Sequence, residues 1–305
     1  FLAATAPDVP AQAAENVGVE RVQVYSETRN EDLSVVIWYP AGPGGSPVAV
    51  GENRIFKGTP AYAKAPRTEG AFPLIVLSHG SGATVEKMAW IATALAQDGF
   101  VVAGPNHPGT ATGDSTPEDT PKLWQRTDDL SALLDFLLAD PDWQAAVDPD
   151  RIGLLGFSLG GATVLRSVGA TAKLDTYAQY CQTYPAMADC RWYAGGKAYR
   201  DGAEIAVAPF DLRSLDRESF ERPERDLRVR AVVAVDPGLA AAFELPSLEE
   251  IGMPLHFINL GEPETVPISV KSDHLAGHAP RGSIDYVAGA VHFSFLPECK
   301  ADAED

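Results

Sequence analysis

The sequence predicts an α/β protein built on a doubly wound, mostly parallel sheet, and three observations predict it. Apolar runs and helix-compatible stretches alternate from Phe72 to Arg166, the rhythm of a parallel sheet with crossover helices. Several apolar runs are continuous rather than alternating, as strands buried on both faces should be. The polar, glycine-rich segments fall directly after those runs, at the strand carboxyl ends where open sheets of this kind bind ligands.

Taken in order, residues 1–18 are rich in Ala and Pro and read as a flexible leader. A chain that opens on Phe1 rather than Met is expected to be a mature or trimmed form. Two alternating stretches, Val19–Tyr25 and Leu33–Tyr39, flank the polar SETRNED and read as an antiparallel hairpin. Residues 40–71 are dense in Gly, Pro and charge and read as loop. Phe72–Ser78 (FPLIVLS) is a central strand that ends in His79-Gly80-Ser81-Gly82. Helical spacing follows over Glu86–Gln97, closed by Asp98-Gly99. Phe100–Ala103 is the next strand, with NHPG after it, and Trp124–Leu138 is an amphipathic helix with Leu130, Leu133, Leu134, Leu137 and Leu138 on its apolar side. Ile152–Leu155 is a strand, and the glycine-rich segment after it enters another helix.

The rhythm then breaks. Residues 171–228 hold several tyrosines, Trp192 and a charged run, and read as an insertion folded over the strand ends as a lid. Tyr177, Tyr180, Tyr184, Trp192 and Tyr193 either shape an acyl or aromatic pocket or pack the insertion's own small core. Strands resume at Val229–Val235, Pro254–Leu260 and about Ile284–Ala288. One domain is expected over 19–298, with a short tail at 299–305, and no internal repeat is visible.

Composition narrows the function classes. A formal charge of −18 argues against nucleic acid or anionic membrane surfaces as partners. No apolar run is long enough to span a bilayer. Of the three cysteines, Cys181 and Cys190 bracket a short loop-like stretch. They form either a local disulfide or a pair of buried thiols. The disulfide, which we favour, places folding in an oxidising compartment, the periplasm or outside the cell, and leaves Cys299 unpaired. Three cysteines without metal-type spacing do not make a zinc site, and no metal or organic cofactor is implied.

The chemistry centres on residues 151–164, RIGLLGFSLGGATV. Gly156-Phe157-Ser158-Leu159-Gly160 is G-x-S-x-G between a strand and a helix, the context of a nucleophile elbow. Side chains at Gly156 and Gly160 would collide with the adjoining strand and helix, and the sharp turn presents the Ser158 hydroxyl at a helix N-terminus. The plainer reading is a glycine-rich turn with a bystander serine. A nucleophilic serine needs a base, and the base an orienting acid. His292 follows the last strand; His274 and His278 lie in a polar connection, expected at the surface. Asp236 ends a strand before Pro-Gly, and its short side chain holds an imidazole with less entropy loss than Glu262 or Glu264 in the following loop. Two amides should bind the oxyanion, that of Leu159, after the nucleophile, and that of Ser81, after the 72–78 strand. His107 reads as a structural loop histidine.

These motifs together, LIVLSHGSG, GFSLGG, a strand-terminal Asp before PLHFINLG and a closing VHFSF, resemble the α/β-hydrolase superfamily. Within it they look like the branch of platelet-activating factor acetylhydrolases and the bacterial dienelactone hydrolase-like group. The resemblance implies an α/β-hydrolase fold, Asp236 rather than Glu262 as the acid, His292 as the base, and Ser81 and Leu159 as oxyanion donors. True dienelactone hydrolases use cysteine, so Ser158 carries over no lactone specificity. The elbow spacing is also similar to bacterial cutinases and polyester hydrolases, which lack an insertion like 171–228. The expectation is a serine carboxylic-ester hydrolase acting on small or medium acyl or aryl esters through an acyl-enzyme. The alternatives are lipase or polyester hydrolysis, acyl transfer or amide cleavage by the same residues, and a silent binding fold.

Overall fold

The structure, a computed structural model, describes residues 16–303. A ten-stranded sheet runs through it, its strands in the spatial order 282–287, 255–260, 229–235, 147–157, 72–78, 101–105, 31–41, 16–26, 59–63 and 46–50. The hairpin is β1 (Asn16–Ser26) and β2 (Glu31–Ala41), antiparallel, with Val19 opposite Trp38. The leader expected at 1–18 therefore ends sooner, because Asn16–Gly18 already pair with Tyr39–Ala41; residues 1–15 lie outside the described residues. The 40–71 segment is also corrected. It contains β3 (Ser46–Val50) and β4 (Thr59–Ala63), which extend the sheet beyond β1. Their prolines, Pro47 and Pro60, are what made the stretch read as loop; Pro47 lies on the edge strand β3, and Pro60 lies outside the short pairing of β4 with β1 at Tyr62 and Ala63, positions where a missing N–H is tolerated.

The parallel heart of the sheet is β5 (Phe72–Ser78), β6 (Val101–Pro105), β9 (Val147–Phe157), β12 (Val229–Val235), β13 (Leu255–Leu260) and β14 (Gly282–Val287). Successive residues of these strands feed opposite cores, which is why their sequences read as unbroken apolar runs. Val76, Leu154 and Ala234 pack with Leu130, Leu133, Leu134 and Leu137 of α2 (Leu123–Ala139). Leu77, Leu155 and Val235 face the other way, toward Ala89, Ala92 and Ala96 of α1 (Ala89–Gln97). The elbow helix α3 (Leu159–Arg166) is buried along its whole length beside β9 and β12.

Residues 171–228 carry α4 (Leu174–Thr183), α5 (Ala188–Trp192), the hairpin β10 (Gly196–Arg200) and β11 (Ala203–Val207), and α6 (Arg217–Glu221). The hairpin joins two short strands, β7 (Thr110–Ala111) and β8 (Asp114–Ser115), in a second sheet. Cys181 and Cys190 form a disulfide between α4 and α5. The segment is docked by polar contacts: Arg166 donates to the carbonyls of Ser219 at 2.7 Å, Arg222 at 2.9 Å and Phe220. Trp192 Nε1 donates to Thr120 Oγ1 at 2.9 Å. After β12 come α7 (Leu245–Glu249) and α8 (Asp273–His278). The tail is held as well: Cys299 bridges to Phe56, and the Lys300 amide donates to the Ile55 carbonyl at 2.8 Å.

Candidate active site

Ser158 sits at the turn between β9 and α3 with φ 55° and ψ −119°, a conformation that non-glycine residues avoid. Two neighbouring glycines permit it by contact. A Cβ on Gly156 would lie 2.1 Å from the Gly160 carbonyl oxygen, and one on Gly160 would lie 1.8 Å from that of Ser78. The turn is held from below, where the Ser158 amide donates to the Val235 carbonyl at 2.9 Å and the Ser158 carbonyl accepts from Gly238 N–H at 2.8 Å.

His292 and Asp236 meet Ser158 across long stretches of chain. His292 Nε2 is 3.1 Å from Ser158 Oγ, and His292 Nδ1 is 2.9 Å from Asp236 Oδ2. The Asp236 carboxylate is fully buried, while about a fifth of the His292 side chain reaches solvent. With Nδ1–H donating to Asp236, Nε2 is left as the acceptor toward the serine hydroxyl, the arrangement of a base poised to take its proton. The second Asp236 oxygen accepts from Asn259 Nδ2 and from the Leu260 amide, each at 2.9 Å. Asn259 itself is locked, since its Oδ1 accepts from the Ser272 amide at 2.9 Å. Asn259 is not among the residues expected from the sequence, yet an amide inside the apolar strand LHFINL is a signal that marks it.

Phe157, the residue preceding the serine, is the other omission. Its ring lies 4.8 Å from the His292 ring and stacks on Phe295 at 4.6 Å, so it forms one wall against which the imidazole rests. The competing residues are elsewhere. Glu262 and Glu264 are exposed in the loop beyond β13. His274 and His278 are exposed at the surface, as expected, on the short helix α8, where His274 Nε2 is bonded to the Ala240 carbonyl at 3.1 Å.

The two expected oxyanion donors follow Ser158 and Gly80 in the chain. Leu159 opens α3, and Gly80 presses on the elbow, where a Cβ would come within 3.3 Å of Ser158 Cβ; Ser81 follows it. Among the described residues neither the Ser81 nor the Leu159 N–H donates to a protein acceptor.

A second polar cluster lies beneath. His107, wholly buried, places Nδ1 2.8 Å from Asp129 Oδ2 and Nε2 3.0 Å from Ser78 Oγ. Arg29 grips the same carboxylate with Nε at 2.9 Å and Nη2 at 2.8 Å. Burial pushes the Asp129 carboxyl up, and the Arg29 hydrogen bonds pull against it. His79 Nε2 accepts from the His107 amide at 3.0 Å, so Nδ1 carries the proton that goes to the Gly80 carbonyl at 2.8 Å. Burial, with the Arg126 charge nearby, holds both histidines well below the ordinary imidazole range. The lid aromatics divide: Tyr177, Tyr180 and Tyr193 are buried in the core, with the Tyr177 and Tyr193 hydroxyls 3.2 Å apart, whereas Tyr184 is exposed.

The chain has the α/β-hydrolase fold. A ferulic acid esterase from Streptomyces cinnamoneus superposes with a TM-score of 0.60 at 21% identity, over 95% of this chain and 78% of that one. Residues 71–181 match a family model described as serine aminopeptidase, S33. Among curated relatives, a bis(hydroxyethyl) terephthalate hydrolase from Streptomyces coelicolor is 29% identical over 39% of this chain and 36% of its own length. The cutinase est1 of Thermobifida alba is 31% identical over 33% of this chain and 32% of its own. The chain spans about a third of the length of the curated relatives it matches. The expected similarity to cutinases is thus found, over about a third of each chain.

Proposed function

We propose that this protein is a serine carboxylic-ester hydrolase working through an acyl-enzyme on small or medium acyl or aryl esters. The observation that carries the proposal is the continuous bond path Ser158 Oγ–His292–Asp236, ending on a carboxylate that is fully buried and doubly anchored. The matched relatives that act on terephthalate esters and cutin support the ester class.

In this mechanism Ser158 Oγ attacks the ester carbonyl carbon while His292 Nε2 takes the hydroxyl proton. The carbonyl oxygen becomes an oxyanion, held by the Ser81 and Leu159 amides. Collapse breaks the bond to the leaving alkoxide, which receives the proton from His292 and departs as the alcohol. Water then repeats the sequence on the acyl-Ser158 carbonyl and releases the acid. Asp236 keeps the imidazole in the productive tautomer and stabilises the imidazolium. The insertion at 171–228 serves as the lid of this site, and the disulfide within it supports folding in an oxidising compartment.

A second reading, hydrolysis of an insoluble polyester, is favoured by one feature. Val291 and Phe293, on either side of His292, are 64% and 69% exposed and offer apolar contact to a polymer surface.

The test is labelling with a fluorophosphonate, followed by peptide mapping and a p-nitrophenyl ester chain-length series. We expect one adduct, on Ser158, none in Ser158→Ala, and turnover of soluble esters. A folded protein that takes no label and turns over no ester is a binding fold, and the proposal is wrong. Faster release from a polyester film than from soluble esters would move the second reading ahead; acyl transfer to an added alcohol would name a transferase.

A further inference from the structure

Arg126 lies inside the protein on α2, 1% exposed, and has no part in the bond-making steps above. Its guanidinium reaches both segments that carry the oxyanion amides. Nη2 donates to the His79 carbonyl and, at 3.1 Å, to Ser78 Oγ, just ahead of Ser81. Nη1 donates to Thr110 Oγ1 at 2.6 Å, and the Thr110 carbonyl accepts from the Gly82 amide at 2.8 Å, just after Ser81. Nε donates to Thr163 Oγ1 at 2.9 Å, which donates in turn to the Leu159 carbonyl at 2.9 Å. One planar group therefore brackets Ser81 on both sides and holds the first turn of the elbow helix.

We propose that Arg126 is a positioning residue that sets the separation of the Ser81 and Leu159 amides and so aligns the oxyanion hole. The inference rests on the ester-hydrolase reading of the site. A buried guanidinium bonded to neutral oxygens is poor value for stability alone, since desolvation is costly and apolar packing would serve as well. What it offers is geometry: five donors in a rigid plane, which the single rotatable ammonium of lysine does not reproduce. Burial draws the group down to about 9, so it is charged at neutral pH. The carboxylate whose charge acts on it, Asp129, is gripped by Arg29 and His107. Oxyanion stabilisation depends steeply on donor placement, and a donor moved off line forfeits much of its effect.

The experiment compares wild type, Arg126→Lys and Thr163→Val in kcat, in KM for a p-nitrophenyl ester, and in affinity for an alkylboronic acid. The boronate adds to the serine as a tetrahedral anion and reports on the oxyanion hole directly. Thr163→Val is nearly isosteric and cuts only the arm to the elbow helix. We expect kcat to fall about tenfold in Thr163→Val and about a hundredfold in Arg126→Lys, with KM within about twofold and boronate affinity falling in step with kcat. Partial recovery of an Arg126→Ala variant by millimolar guanidinium is the expected rescue. If the variants lose thermal stability while kcat and boronate affinity hold, or if none of them folds, Arg126 is a structural group and the proposal falls. An unreactive wild type shows separately that the ester-hydrolase reading has failed, and takes this proposal with it.

Discussion

Two serines in this chain touch a histidine that is bonded to a buried aspartate, and their surroundings separate them. Ser158 is partly exposed at a helix N-terminus, and its partner His292 reaches solvent. Ser78 is wholly buried, and its oxygen already accepts from Arg126 while facing His107. A hydroxyl with no access and an occupied lone pair is a bolt in a network, not a nucleophile, so the geometry of three residues does not by itself define a site. The same scale shows how Asp236 is held. Asn259 supplies one of two hydrogen bonds to its outer oxygen. We expect Asn259→Leu to lower stability by about 1–3 kcal/mol, because the Ser272 amide and an Asp236 lone pair lose their partner in the interior. Urea midpoints check the stability, and a kcat that falls more than KM rises would show that the carboxylate has lost its aim.

At the scale of elements, the insertion hangs on the elbow helix. Arg166, on the last turn of α3, bonds the carbonyls of Ser219, Phe220 and Arg222, so the insertion and the Ser158 turn share one support. The Cys181–Cys190 bridge staples α4 to α5 across a sequence separation of nine. Closing a loop of that length removes about 2–3 kcal/mol worth of unfolded-chain entropy. The double variant Cys181→Ala/Cys190→Ala is therefore expected to lose stability of that order and to unfold at lower urea. A bridge of purely local consequence would leave the midpoint unmoved. In the 40–71 segment, pairing overrides local composition. β3 and β4 pair at the sheet edge, where short strands with proline are admissible, so local composition favoured loop while pairing with β1 made strand.

For the whole molecule, acid stability follows from the buried histidines. His79 and His107 stay neutral in the fold, whereas in the unfolded chain each titrates near the usual value of about 6.5. Below that pH the unfolded state binds protons that the folded state refuses, so stability falls as pH falls. The slope reaches about 1.4 kcal/mol per pH unit for each histidine until its folded value is met. Asp129 has the opposite sign, because burial holds its folded value above the unfolded one. Urea midpoints between pH 7 and pH 5 should decline, and His107→Gln should flatten the decline. An unchanged midpoint across that range would mean that the two imidazoles are not buried neutral.

What the amino-acid sequence determined alone is local or periodic. The parallel core strands, the α2 apolar stripe and the G-x-S-x-G turn were legible because apolar runs, helical spacing and glycine sterics act within a few residues. The serine, the strand-end aspartate and the histidine after the last strand could be named, but only as residue types in a compatible order. Tertiary structure decided which of them meet. Ser158 and His292 are 134 residues apart in the chain, and His292 and Asp236 are 56 apart. It also placed Asn259 behind Asp236, Phe157 against the imidazole, and Arg126 between two loops. None of these contacts leaves a periodic trace, because each depends on a side chain crossing from one packed element to another, and such distances are set by the sheet order rather than by neighbours in sequence.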